Sequence, residues 1–280
     1  MSYQFGRLFI GKEERRRWLL SLIFQEYLRK IKVPEYFDYE KLVLGTDYKF
    51  PILDQDGVGA CTVFSAGTSQ MRFEFAEQGP VEFPIFRFAD LIYTYDEIKQ
   101  PGEGAYMTDL MAIWNHEGLR HRKCHTVSNR LARWLCHFLK SYDWYKIQNY
   151  TNIQTDEVAD IKAAIYLFGQ VEIGILVTDG FMSAFLKRRD VTKSDADGRV
   201  LGGHAMNCVG YDSKGIYVNH TWRGGFKQRI RWDYCQHVNE AYGIRLLDEA
   251  WGVVDAKNPK LLRFFDLEKF YRDAEWALTK

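Results

Sequence analysis

The stretch Gln55-Asp56-Gly57-Val58-Gly59-Ala60-Cys61 carries the clearest chemical signal in the chain. Two glycines let the backbone turn tightly and bring the Gln55 amide close to Cys61. An apolar, helix-like run over residues 61–77 follows, so Cys61 is expected at a helix N-terminus. Free N–H groups and the helix dipole there stabilise a thiolate and lower the thiol pKa. The Cys61 backbone N–H and the Gln55 amide are then placed to donate to a developing oxyanion. Losing one such donor costs about 10²–10³ in turnover. A lone cysteine is more often a buried apolar residue; the glycine turn and the upstream glutamine weigh against that reading here.

The second candidate is Gly202-Gly203-His204-Ala205-Met206-Asn207-Cys208-Val209-Gly210-Tyr211. His204 opens an expected strand after two glycines that leave space before its ring. A histidine at a strand start is more often structural, but a Cys/His pair needs proximity only in space. With Cys61, His204 becomes a candidate base.

Elements must position these groups. Residues 106–117 and 157–168 show helical spacing, closed by Gly118 and Gly169, and residues 11–31 and 126–142 show it as well. Residues 171–178, 205–211, 215–221 and 227–232 read as strands, with Asp212-Ser213-Lys214-Gly215 as a hairpin turn. Helices before about residue 170 and strands after it argue an α+β fold, a helical lobe and a sheet lobe with a site in the cleft between them.

Composition excludes other classes. With a formal net charge of +1, no global field draws in nucleic acid or an acidic membrane surface. No stretch is long and apolar enough to span a bilayer, and the first residues lack the apolar core of a secretory signal. The expectation is therefore a cytoplasmic protein. The five cysteines have no regular spacing and read as thiols rather than a disulfide framework. Cys124-His125 and Cys136-His137 lack metal-knuckle spacing and read as packing, so neither a metal nor a cofactor is expected. Arg120-His121-Arg122-Lys123 reads as a solvated loop.

Residues 55–65 resemble the nucleophile loop of the papain family, the C1 peptidases. Gly203-His204-Ala205, Val209-Gly210-Tyr211, Gly215-Ile216-Tyr217-Val218 and Trp222 resemble its histidine hairpin. His204 also follows Cys61 at the separation of about 130–150 residues found in such enzymes. Gly104-Ala105-Tyr106-Met107 resembles the segment lining the non-primed side of the cleft, and Glu249-Ala250-Trp251-Gly252-Val253 a closing element of bacterial-type members. The resemblance runs over about residues 50–255. It implies a two-lobed papain-like fold with a helical lobe at about 50–165 and an antiparallel sheet or barrel lobe at about 166–255. A helical tail at about 256–280 follows, and residues 1–49 form an N-terminal extension. It implies a cysteine endopeptidase acting on peptides or proteins, with Cys61, His204 and Gln55 catalytic. Gly104, Ala105, Gly174, Gly202, Gly203, Ala205 and Trp222 would line the substrate site. The oligomeric state is left open.

This chain departs from the family pattern at three places that matter. Val58 stands where the family usually has a disulfide-forming cysteine, which fits a reducing compartment. Ala105 replaces the second glycine of the cleft segment. The third catalytic residue, an asparagine in the family, aligns without gaps to His220, with Asn219 one place before it. Strand side chains alternate, so only one of the two faces His204 unless a bulge intervenes. A neutral His220 accepts a hydrogen bond as an amide oxygen does, but its protonation at mildly acidic pH would set two imidazolium ions side by side. That substitution admits an alternative, a catalytically impaired relative that keeps the cleft as a peptide-binding or scaffold module.

Overall fold

The computed structural model describes residues 32–255, apart from 43, 46, 47, 81, 82 and 123–141. The helices expected over 11–31 and 126–142, the tail after 255 and the Cys124-His125 and Cys136-His137 pairs lie outside the described residues, except that Tyr142 opens a strand.

In chain order the elements are β1 (Phe37–Asp38), α1 (Tyr39–Leu42), α2 (Cys61–Gln78), α3 (Phe88–Ile98), α4 (Met107–His116), β2 (Leu119–Arg122), β3 (Tyr142–Tyr145), β4 (Asn149–Ile153), α5 (Val158–Phe168), β5 (Val171–Thr178) and α6 (Asp179–Leu186). Then come β6 (Val200–Tyr211), β7 (Gly215–Asn219), β8 (Lys227–Arg231), α7 (Trp232–Cys235), β9 (Val238–Asn239), β10 (Ile244–Arg245) and β11 (Leu247–Val254). The fold is α+β. Its main sheet is antiparallel in the order β4-β11-β5-β6-β7-β8, with β1 added to β6. Among the described residues β4 and β8 end the path and do not pair with each other, so the sheet is open, and the barrel admitted as one form of this lobe is not formed.

Helix α2 is the spine. Every residue from Cys61 to Phe75 is buried, polar ones included. Such a helix has no solvent face, so its polar side chains must find partners inside the protein. Gln70, for example, accepts from Trp114 Nε1 at 2.9 Å and donates to Glu74 at 2.8 Å.

The helices expected at 106–117 and 157–168 form as α4 and α5, and Gly118 and Gly169 sit at positive φ beyond their ends. β6 starts five residues earlier than expected, at Val200. Its glycines argue locally against a strand, but pairing with β5 from Thr178 to Val171, with one register shift between Val177 and Thr178, overrides them. The basic cluster at 120–123 is not a loop: its first three residues lie in β2, paired with β3. His121 is buried there beside Phe86 and Tyr145, and Arg120 stacks over Tyr93 at 3.7 Å. The division into early helices and late strands is also incomplete, because β1 and β4 join the main sheet.

Residues 34–42 lie across the sheet lobe. Phe37 pairs with Tyr211 and Asp38 with Gly210, where any side chain in place of Gly210 would collide with the Phe37 carbonyl. Lys227 Nζ bonds both Asp38 oxygens and Glu40, and Arg72 of α2 bonds the other Glu40 oxygen.

Candidate active site

Cys61 is the first residue of α2. Its cap, Ala60, makes no side-chain hydrogen bond, and no acidic residue stands in the first turn. The positive end of the helix is thus left to the thiol itself. The turn before it is built by Asp56 and Gly57, both at positive φ (47° and 75°), with Val58 N–H donating to the Gln55 carbonyl. The Gln55 side chain is held at both ends: Nε2 donates to Val58 O at 2.7 Å, and Oε1 accepts from Thr221 Oγ1 at 2.7 Å. Its backbone N–H donates to Thr221 O at 2.9 Å. The nucleophile loop is therefore tied to the hairpin that carries His220 and Trp222.

Cys61 Sγ accepts a hydrogen bond from the Ala205 backbone N–H at 3.4 Å. His204 immediately precedes that donor, so the fold brings the imidazole and the thiol into one neighbourhood. Both residues are fully buried. Around His204 the rings are ordered. The Trp222 indole lies 4.0 Å from the His204 ring at 19° and 5.3 Å from the His220 ring at 19°. The two imidazoles are 6.1 Å apart with planes 11° from parallel. Rings on opposite faces of one indole would be separated by two contact thicknesses, about 7 Å or more. His204 and His220 therefore lie side by side under the same face.

Asn219 goes the other way. It pairs in register with Asn207, and its Nδ2 reaches Asn207 Oδ1 at 3.5 Å, on the opposite side of the strand from His220. The bulge between β6 and β7 falls at Cys208–Gly210 and leaves this alternation intact. His220 is packed by Phe181 and Phe185 of α6 and by Phe226, and its Nε2 is 2.6 Å from Gln228 Oε1. Burial pushes its pKa down to about 4, against a smaller opposing effect of the Gln228 bond. His220 is therefore kept from charging over the mildly acidic range in which the sequence led us to expect it.

The residues expected to line the substrate site fall in two groups. Gly174 and Ala205 are cross-strand partners, as are Leu176 with Gly203 and Val177 with Gly202. On the other wall, the Gly104 N–H donates to Tyr95 Oη at 2.9 Å, and Ala105 is buried just before α4. Burial raises the Tyr95 pKa, with the charge of Cys61 among the smaller causes, which places this wall within electrostatic reach of the thiol.

Other structured groups had no signal in the sequence. Thr221, Gln228 and the α6 phenylalanines act only through tertiary register. Glu172 is fully buried between α2 and the sheet, where it accepts from the Ser65 and Ser69 hydroxyls of α2. Asn207 donates to Ser69 Oγ at 2.7 Å and to Gln170 Oε1 at 3.2 Å, and Gln170 Nε2 donates to Ser69 O at 3.0 Å. Burial raises the Glu172 pKa to about 7, although the serine and Asn207 hydrogen bonds and Arg72 pull it down. Among the described residues no group of three or more His, Cys, Asp or Glu is arranged to hold a metal, and no helix is long and apolar enough to cross a membrane.

The family model described as papain family cysteine protease matches residues 33–239. The chain belongs to that family. Its fold is similar to that of xylellain, a cysteine protease from Xylella fastidiosa, with a TM-score of 0.61 and 15% identity over 91% of this chain and 97% of that one. It is also similar to procathepsin B S9 from Trypanosoma congolense, with a TM-score of 0.58 and 14% identity over 90% and 82%. The Carica candamarcensis cysteine protease CMS1MS2, solved with E-64, gives 0.55 and 16% over 80% and 99%. A search of curated proteins returns no match.

Proposed function

We propose that the protein is a cysteine endopeptidase that cleaves peptides or proteins through Cys61, His204 and a covalent acyl-enzyme. One observation carries this reading: the Cys61 sulfur, at the start of α2, accepts from the N–H of the residue that follows His204. The thiolate attacks the scissile carbonyl, and the oxyanion is met by the Cys61 N–H and the Gln55 amide. His204 gives its proton to the leaving amine, and water then releases the acyl group. Neutral His220 stands in the place of the family asparagine, its ring 6.1 Å from that of His204 beneath the Trp222 indole, and takes the His204 ring N–H once bound substrate draws the two rings together. Asn219 belongs to the Asn207 side of the strand and has no part in orienting His204. The cytoplasm is the proposed compartment, in keeping with Cys61, Cys208 and Cys235 as free thiols. Nucleic acid is not a proposed partner, given the balanced charge.

Thiol labelling tests the nucleophile. Cys61, Cys208 and Cys235 are equally buried, so exposure does not rank them. Burial pushes the Cys208 thiol up to about 12 and Cys235 well above the usual range. Limited iodoacetamide followed by peptide mass mapping is expected to modify Cys61 first among these three, and to lose that preference in His204→Ala. Equal rates in the wild type would remove the activated thiol and leave the peptide-binding module as the reading.

A second expectation concerns specificity. By the family resemblance, Gly174, Gly202 and Ala205 would line the second non-primed position, and such small groups would leave volume that favours a bulky apolar side chain. A peptide library should show large apolar or aromatic residues there. A preference for Gly or Ala would contradict this lining.

A further inference from the structure

We infer that Gln228 is a positioning residue of the active site: it fixes which ring nitrogen of His220 carries the proton. The inference rests on the reading above, in which His220 receives the His204 ring N–H.

Gln228 is 1% exposed, the second residue of β8, opposite Val218. The direction of its amide follows from a partner with a single role. A backbone carbonyl only accepts, so the Gln228 end lying 2.6 Å from Arg189 O must be the NH₂ group. The other end, 2.6 Å from His220 Nε2, is therefore the carbonyl oxygen, which also only accepts. His220 Nε2 must then be the N–H. A neutral imidazole carries one ring proton, so Nδ1 is left as the acceptor. Among the described residues Nδ1 has no hydrogen-bond partner.

The opposite tautomer fails on both sides. It would set two lone pairs against each other at 2.6 Å on the Gln228 side. On the His204 side it would offer an N–H to another N–H, and the ring would no longer accept. An asparagine in this position needs no such device, because its carbonyl oxygen accepts whatever surrounds it. A histidine accepts only when something chooses its tautomer. Gln228 makes that choice, and Arg189 O keeps Gln228 from turning over. Phe181, Phe185, Phe226 and Trp222 hold the ring in place, with centroids between 4.7 and 6.0 Å away. The hydrogen-bonded chain thus runs from Arg189 O through Gln228 to His220, whose ring lies 6.1 Å from that of His204; the last step, to the His204 N–H, closes when substrate draws the rings together. Burial supports it by keeping His220 neutral across the ordinary pH range.

Nitrogen-15 NMR of the histidine rings reads the tautomer without substrate, with His220→Asn identifying the His220 signals by their loss. In the wild type at pH 7, His220 is expected as the Nε2–H form. An Nδ1–H form there would overturn the inference, even if the protein cleaves no peptide, and needs no variant to fold. In Gln228→Leu the ring should become a mixture, and kcat/KM for a peptide should fall about 10–100-fold, the range carried by partners that orient a working histidine. Because His220→Asn removes the need for a tautomer, Gln228→Leu should cost under about threefold in that background. An equal loss in both backgrounds would reduce Gln228 to a packing residue. Absence of cleavage by the wild type, with the tautomer as expected, would sink the peptidase reading while leaving the assignment of the His220 proton in place.

Discussion

Cys61→Ala is expected to lower peptide hydrolysis by on the order of 10⁴–10⁶, and His204→Ala by a similar factor. Removing either member of a cooperating nucleophile and base costs about as much as removing both. The double variant should therefore be little worse than either single one, since neither group works without the other. The folding cost of Cys61→Ala is small by comparison: one sulfur atom is lost from a site where it accepts a long, 3.4 Å hydrogen bond from Ala205. Turnover of a fluorogenic peptide, with thermal unfolding measured on the same samples, checks both halves of the expectation. Residual hydrolysis within tenfold of the wild type would mean that some other group attacks the substrate.

Stability should respond most to Glu172. In Glu172→Ala, Ser65, Ser69 and Asn207 lose the acceptor around which they are arranged, and a cavity opens between α2 and the sheet. Buried groups left unsatisfied cost about 1–3 kcal/mol each, so a loss of about 3 kcal/mol or more is expected. The pH dependence has a definite sign. The folded pKa of about 7 lies above the ordinary glutamate value of 4.5, so this group's contribution is fully present below about 4.5 and is lost as pH rises through about 7. The difference corresponds to about 3 kcal/mol. Charged groups near it do not reverse this: Arg72 lowers the pKa only in part, and Cys208, on the neighbouring strand, has its own thiol raised by burial and by Glu172. Glu172→Gln keeps an acceptor for the serines and removes the titration. Urea unfolding at pH 5 and pH 8 should show this variant gaining on the wild type by about 2.5 kcal/mol between the two, since at pH 5 part of the effect is already lost. A constant gap would mean that Glu172 stays in one protonation state throughout. His220 works in the opposite sense. Its pKa is lowered to about 4, so its contribution is present above about 6.5 and lost as pH falls towards 4.

The nucleophile loop and the histidine hairpin were legible because they are written in local chemistry. Gly57 takes the positive φ that the turn needs, and Asp212 Oδ1 accepts from Lys214 and Gly215 to close the hairpin. Helix α3 was not legible. Its run Ile92-Tyr93-Thr94-Tyr95 favours strand locally, while an Asp90 cap on the Arg87 N–H and the burial of Leu91, Thr94, Tyr95 and Ile98 make it a helix. The open edge of the sheet depends on which strands meet across the whole chain, β4 with β11 for instance, and no short stretch records that pairing. The same holds in the site. His220 announced itself by standing in the place of an asparagine. Gln228 and Thr221 are ordinary polar residues until the register of β7 and β8 and the Gln55 loop give them partners.

The pairing of β1 with β6 has a consequence for a nicked molecule. A protease cut within residues 42–49 would break the chain but not the attachment of its upstream piece. That piece would still be clasped by the Phe37–Tyr211 and Asp38–Gly210 pairing, by the buried Tyr39 ring, and by Lys227 and Arg72 on Asp38 and Glu40. The two fragments should migrate apart on a denaturing gel and elute together from a sizing column. Separating them should take denaturant rather than salt, because the Asp38 and Glu40 carboxylates are shielded from the screening that loosens exposed ion pairs.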